Sequence, residues 1–375
     1  MDLSLTEDQL MMRDEARRFL AERASSEAVR AAIAAGGHDA SLWRSMSKEL
    51  GWCGVNIPET AGGLGFGTLE TVLLVEETGR RLAPVPFRTT VSCCVPILRE
   101  LASAEACDML LPRIASGEVT ATAALPWLGT HDPVGELDFT AERDGQGWKL
   151  TGTCRAVFDL ASAELVLVPA RLEQGIALFA VEPSSISEIA PLDALDPTTS
   201  LASLSLDGVV VDGAARIDPG DLDEANFVAP MLQARLGLAA EQTGAAQGCL
   251  ELTLDYIGER VQFGRSIASF QAVKHRCAEL VVRIAEARSL IYGAAANLDA
   301  GGEDAQREVV GAGVLASEVL WRAGEEAVQL HGGVGNTWEY DAHLYLRRAQ
   351  ATAHLFGAPE ERLAAIADDL LEAVA

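Results

Sequence analysis

Glu259-Arg260-Val261-Gln262-Phe263-Gly264-Arg265-Ser266-Ile267-Ala268-Ser269-Phe270-Gln271 and, about seventy residues on from Arg260, Gln329-Leu330-His331-Gly332-Gly333-Val334-Gly335 decide how this chain is read. Each stretch falls where a long helical periodicity gives way to a short loop. Together they offer a guanidinium (Arg260), three amides (Gln262, Gln271, Gln329), an aromatic face (Phe263) and bare backbone at Gly332-Gly333. A dinucleotide needs those parts for its pyrophosphate and adenine. Taken singly, Arg260 reads equally well as a solvated helix-end cation, and Gly332-Gly333 as a C-cap and turn. The long-range combination is what points to a cofactor.

Working outward, residues 223–375 read as a C-terminal helical bundle, with helices predicted over 229–262, 269–300, 304–331, 339–355 and 359–374. Ser269 is a candidate N-cap, Gly301-Gly302 a stop and Pro359 a first-turn proline. Residues 118–222 change character. Gly147–Thr151, Leu165–Val168, Ile176–Val181 and Leu204–Leu206 are short apolar runs broken by Asp-Gly, Gln-Gly and Pro, which is a strand-and-turn signature. Asp218-Pro219-Gly220-Asp221 marks the exit from this middle β unit. Residues 1–117 return to helical periodicity. Thr6-Glu7-Asp8-Gln9 forms a capping-box pattern, a helix over 40–50 stops at Gly51, a loop follows at 55–65, and helices resume over 68–82 and 99–116. The fold class is therefore α+β.

The 375 residues exceed what one hydrophobic core usually organises. A hydrophobic content of 49% with 22% charged residues excludes a disordered chain. The formal net charge of −26 argues against nucleic-acid partners and anionic membrane surfaces, so any anionic ligand must be held by local arginines. Seven cysteines without C-x-x-C spacing fit buried thiols in a reducing compartment, and no metal site is expected. The N-terminal residues lack a signal-peptide pattern, and no apolar run reaches the ~18 residues that span a bilayer. A cytoplasmic protein is the expectation.

The helical–β–helical order, with R-x-x-F-G-x-x-I and Q-x-x-G-G-x-G placed in the last bundle, resembles the acyl-CoA dehydrogenase family. Ile57-Pro58-Glu59 before Gly62-Gly63-Leu64-Gly65, and Glu339-Tyr340 with Arg347, add to the likeness, which spans nearly the whole chain. The resemblance implies a middle β-barrel or sandwich, a C-terminal four-helix-type bundle, and FAD lying between the two across a subunit interface. It implies α,β-desaturation of an acyl-CoA thioester, with the α-hydrogen leaving as a proton and the β-hydrogen passing as hydride to flavin N5. Carried over, Arg260 pairs with the pyrophosphate and Phe263 packs on the adenosine end. Gln262 stands beside them in the same cofactor stretch. Gln271 and Gln329 bond the cofactor, and Gly332 and Gly333 let the backbone come close.

The sequence also departs from that pattern. The usual base position, about nine residues past the Arg347 pair, holds Phe356, and the alternative slot on the first long C-terminal helix holds Ala234. Neither can take a proton. Glu241 lies two helical turns beyond Ala234, displaced by about 10 Å; it reads first as a polar residue satisfied at a helix–helix or subunit contact and only weakly as a substitute base. His354 reads as an interfacial residue, and Glu360 and Glu361 as first-turn carboxylates favouring the helix dipole. The stretch that usually meets flavin with hydroxyls reads Ala123-Ala124-Leu125-Pro126-Trp127-Leu128-Gly129-Thr130. A later strand offers Ala156 and Phe158.

In the family this chain resembles, these losses fall on the residues that serve a subunit's own flavin, whereas the set that would serve a neighbour's flavin is kept. The distribution resembles the two-component α2β2 acyl-CoA dehydrogenases of actinobacterial steroid side-chain degradation, which carry half the usual FAD. Such a chain would be a subunit lending FAD-binding residues to a second acyl-CoA dehydrogenase-like subunit. The alternatives are a self-sufficient homo-oligomer with a relocated base, and a non-catalytic homologue that holds acyl-CoA.

Overall fold

The structure is a computed structural model that describes residues 4–220 and 222–374; Asp221, the last residue of the expected exit turn, and the terminal residues 1–3 and 375 lie outside the described residues. The N-terminal third is helical: α1 (Glu7–Arg23), α2 (Ser26–Ala34), α3 (Ala40–Arg44), α4 (Thr68–Arg80), α5 (Val95–Leu101) and α6 (Ala104–Ala115). Thr6 and Gln9 cap α1 reciprocally, as their spacing predicts. Two expectations change. The helix over 40–50 turns π-helical at Ser45–Glu49 before ending at Gly51, which is left-handed at φ 65°. The helix over 99–116 is two helices, because Ser103 leaves the helical path to cap α6, its hydroxyl accepting from Ala106 N at 3.2 Å.

The middle unit is one seven-stranded sheet. It contains β1 (Ala121–Ala123), β2 (Thr140–Asp144), β3 (Gly147–Phe158), β4 (Leu165–Arg171), β5 (Ile176–Val181), β6 (Glu188–Pro191) and β7 (Leu201–Val211). Its order is β1-β4-β2-β3-β7-β6, with β5 paired to β4. The strand runs read from the sequence lie inside β3, β4, β5 and β7, and one face buries Leu150, Val157, Val166, Val168 and Phe179 in a shared core. Asp218 closes the unit by accepting from Leu178 N at 2.9 Å and from Gly220 N at 2.9 Å.

The last third holds α7 (Val228–Glu259), α8 (Gln271–Asp299), α9 (Ala305–His331), α10 (Ala342–Thr352) and α11 (Pro359–Val374). α9 packs on α7, α8 and α10. Ser269 is not the N-cap of α8. Ser266 caps a 3₁₀ turn at Ile267–Ser269 instead, the Ser269 hydroxyl donates to Ser266 O at 2.6 Å, and α8 begins after Phe270. α10 starts at Ala342, three residues later than its pattern predicts, after a turn through Thr337–Asp341. Among the described residues no helix is long and apolar enough to cross a membrane.

Two contacts position the site. α4 crosses α7 backbone to backbone: a Cβ at Gly79 would strike Glu241 O, and one at Gly244 would strike Glu76 O, so only glycine permits the approach. The β unit is tied to the bundle by Arg348 of α10. Its guanidinium is fully buried, ion-paired with Asp196, bonded to Thr198 Oγ1 at 2.7 Å and 3.2 Å from Glu241.

Candidate cofactor site

The two stretches that open the reading come together in space. α7 runs out at Glu259, and Val261-Gln262 (β8) pairs antiparallel with Arg265-Ser266 (β9). Phe263 and Gly264, both at positive φ (53° and 76°), occupy the two turn positions, as a tight I′-like hairpin requires. The left-handed region costs a bulky residue about 1 kcal/mol, and Phe263 gains no burial in return: it is 91% exposed. Among the described residues its ring stands against one other ring, Phe270, perpendicular to it with centroids 6.2 Å apart, and Arg265 covers the face of Phe270 at 3.9 Å. An aromatic held in a strained turn and presented to solvent is placed for a contact outside the chain.

The second stretch ends α9. Tyr256, one turn before Arg260, stacks on His331, two residues after Gln329, with ring centroids 4.2 Å apart. The Tyr256 hydroxyl donates to the His331 carbonyl at 3.3 Å, and Tyr340 meets both rings edge-on. His331 Nδ1 lies 2.7 Å from Ala327 O, so it carries the proton, and burial pushes the ring's pKa down. This joint fixes the hairpin against the Gln329–Gly333 loop. Its residues are invisible to motif reading, because a tyrosine and a histidine at helix ends look like ordinary packing.

The side chains of Arg260, Gln262, Gln271 and Gln329 are exposed, and among the described residues none of them has a hydrogen-bond or ion-pair partner. Gln271 stands at the first position of α8, directly after the hairpin. Nothing lies within 4 Å of where a Cβ would stand at Gly332 or Gly333, and Gly332 is left-handed at φ 64°. A guanidinium, three free amides, an aromatic face and an uncovered backbone together form an open cradle for a phosphate-linked, aromatic-ended group.

The other half of a flavin site is filled with side chains. Phe356 N donates to Trp127 O at 2.8 Å, Gly129 N donates to His354 O at 3.1 Å, and Leu128 bridges Leu355. The Trp127–Gly129 loop is thus zipped directly onto the segment after α10. The rings of Trp127 and Phe356 meet edge to face at 5.2 Å, and Arg235 lies over Phe356 at 4.7 Å. Ala234 and Phe356, the two base positions implied by the resemblance, line one interior cavity with Trp127, Phe158, Arg88 and Cys93. Its volume is about 10 Å³, the lower limit for one water molecule. An isoalloxazine ring does not fit there.

Glu241 is part of the ion network. One carboxylate oxygen takes Arg88 Nε at 3.0 Å and the other Arg348 at 3.2 Å. Burial opposes the charge on Arg348, and Asp196 and Glu241 more than restore it, so its pKa rises. Nearby, burial raises the pKa of the Asp159 carboxyl, while the Thr89 hydroxyl donates to it at 2.6 Å and works the other way. His354 contributes its backbone to the seam with its side chain exposed, and a Glu361 oxygen accepts from Ala358 N at 3.0 Å. The donor geometry thus suits the pyrophosphate–adenosine end of FAD, and the interior does not suit its ring.

Residues 227–371 match the acyl-CoA dehydrogenase C-terminal domain, and residues 6–118 match the N-terminal domain. The chain belongs to the acyl-CoA dehydrogenase family, whose members are FAD-dependent oxidoreductases. It is 33% identical to acyl-CoA dehydrogenase IpdE2 of Mycobacterium tuberculosis over 98% of both chains. The ChsE4–ChsE5 complex from Mycobacterium tuberculosis superposes with a TM-score of 0.88 at 29% identity, covering 99% of each chain. Butyryl-CoA dehydrogenase from Megasphaera elsdenii shares the fold, with a TM-score of 0.89 at 23% identity over 99% of this chain and all of that one.

Proposed function

We propose that this chain is the cofactor-lending subunit of a heteromeric acyl-CoA dehydrogenase. The carrying observation is the contrast between its two half-sites: the cradle at the ends of α7 and α9 is open and unpartnered, whereas the interior is closed by Trp127, Phe158 and Phe356. Arg260 would neutralise the FAD pyrophosphate, and Phe263 would stack on the adenosine end. Gln262, Gln271 and Gln329 would bond the cofactor's polar edge, with Gly332 and Gly333 admitting it to backbone distance. A second acyl-CoA dehydrogenase-like subunit would seat the isoalloxazine, bind the acyl-CoA and supply the base. Bound there, the flavin would supply the acceptor for the substrate's β-hydride, and the second subunit's base would take the α-proton. The relatives' names agree in kind, one being a two-protein complex. Organisation as 1–117, 118–222 and 223–375, an α2β2 assembly and residence in the reducing cytoplasm belong to the same reading; all seven cysteines are free thiols.

The reading of Glu241 as a relocated base in a self-sufficient enzyme gains no support, since both its carboxylate oxygens are taken by arginines. The test is co-expression with the candidate partner and measurement of bound flavin. FAD retained by the pair and lost on Arg260→Gln supports the proposal. FAD retained by this chain alone, with acyl-CoA oxidation, overturns it.

A further inference from the structure

α8 is apolar on two opposite faces. Cys277, Leu280, Ile284, Ala287 and Ile291 are buried against the bundle. On the far side, Ala278, Val281, Val282 and Ala285 repeat the i, i+3, i+4, i+7 spacing of a packed helix face. All four are nevertheless exposed, the two valines by 53% and 56%. A solvent-facing helix surface gains nothing from valine, whose branched side chain loses χ1 freedom there, and long charged residues ordinarily fill it. Three of the charges beside this stripe are satisfied within the chain: Arg276 pairs with Glu326 at 3.1 Å, Glu279 with Arg322 at 3.5 Å and Arg288 with Glu76 at 2.7 Å. The stripe itself carries no ion that a covering surface would have to desolvate.

The order of its residues points to what covers it. From the midpoint between Val281 and Val282 the stripe reads the same both ways, a valine first and an alanine three residues further out. A second copy of the helix, laid antiparallel, sets Val281 against Val282 and Ala278 against Ala285, each twice. The alanines at both ends let the two backbones approach. The flanks are complementary as well. Lys274 and His275 precede the stripe and Glu286 follows it, all exposed. Antiparallel packing lays the basic end of one helix beside the acidic end of the other, whereas parallel packing lays like beside like. A patch that complements itself is what a two-fold contact requires.

We infer that α8 is the surface through which two copies of this chain pair, antiparallel about a two-fold axis passing between Val281 and Val282. The second copy, and not the acyl-CoA dehydrogenase-like partner, lies on the stripe. No cradle residue takes part, so the pairing stands or falls separately from cofactor lending. Only its consequence rests on the heteromeric reading: the contact would join two lending–accepting pairs into one assembly.

Cysteine cross-linking of the full-length chain, alone and in its co-expressed complex, tests the contact; the native thiols are buried or half-buried. Under mild oxidation Val282→Cys is expected to give a disulfide-linked dimer of this chain. Leu290→Cys, exposed on α8 outside the stripe, is expected to give none. Ala278→Cys should link to Ala285→Cys on another copy but not to itself, because the antiparallel order sets the two Ala278 positions about 10 Å apart along the axis. Sedimentation of the chain alone should show a dimer whose dissociation constant rises at least tenfold in Val282→Glu, a change at an exposed position that the fold tolerates. A chain that stays monomeric and gives no Val282→Cys link, while its complex still retains FAD, overturns the pairing and leaves cofactor lending standing. Linking of Leu290→Cys as readily as Val282→Cys overturns the stripe, and self-linking of Ala278→Cys overturns the antiparallel order. Release of the partner subunit by Val282→Glu, with the pairing of two copies unchanged, overturns the choice of occupant.

Discussion

Phe356 and Trp127 are joined twice, by a backbone hydrogen bond of 2.8 Å and by an edge-to-face ring contact at 5.2 Å. That pair seals the seam between the β unit and the bundle. Phe356 sits at φ 61°, a left-handed conformation that packing must maintain. Phe356→Ala therefore removes a buried ring without relieving the backbone, and a loss of about 3 kcal/mol in urea unfolding is expected. The variant should gain no flavin, because Trp127 and Phe158 still fill the interior. Yellow protein from Phe356→Ala alone would contradict the plug.

Phe263→Gly separates function from stability. The ring is 91% exposed and its backbone is left-handed, so its removal should leave unfolding within about 0.5 kcal/mol of the parent or raise stability slightly. FAD content of the assembled complex should nevertheless fall severalfold. An unchanged flavin content would remove Phe263 from the cofactor contact.

Arg348 is the hub of the buried network, and cutting it leaves Asp196 and Glu241 as uncompensated carboxylates. Arg348→Met should cost about 3–5 kcal/mol in chemical denaturation. A cost below about 1 kcal/mol would show that Asp196 and Glu241 find other partners.

Burial lowers the pKa values of His38, His331 and His343. The unfolded chain then binds more protons than the folded one just below the ordinary histidine value, so stability must fall as pH drops through about 6.5. Thermal unfolding at pH 7.5 and 5.5 should show the loss, and His331→Phe, which retains a ring against Tyr256, should reduce it. A flat profile would mean that these rings are solvated.

Much of this was legible from residue types. The strand runs and the long C-terminal helices follow from periodicity, and the meeting of the Arg260 and Gln329 stretches follows from two loop motifs, although the exposure of their side chains does not. The vacancies at Ala234 and Phe356 were readable too, as was the substitution of apolar side chains at Trp127 and Phe158. That these four line one 10 Å³ cavity was not, because it depends on a seam between residues more than two hundred apart. Glu241 reads mainly as a polar residue satisfied at a helix–helix contact, as it is, but the arginines that satisfy it, Arg88 and Arg348, come from other elements and could not be named from the sequence. Ser269 lost the α8 cap to a 3₁₀ turn organised by Ser266, a choice between neighbouring hydroxyls that propensity does not resolve. Tyr256 and His331 carried no signal beyond their positions at two helix ends.

Flavin stoichiometry is the decisive quantity. The ratio of 450 nm to 280 nm absorbance, measured on the purified co-expressed pair and on this chain alone, should give one FAD per pair and none for the chain by itself. One FAD bound per copy of this chain, purified alone and reduced by an acyl-CoA, would contradict the cofactor-lending role.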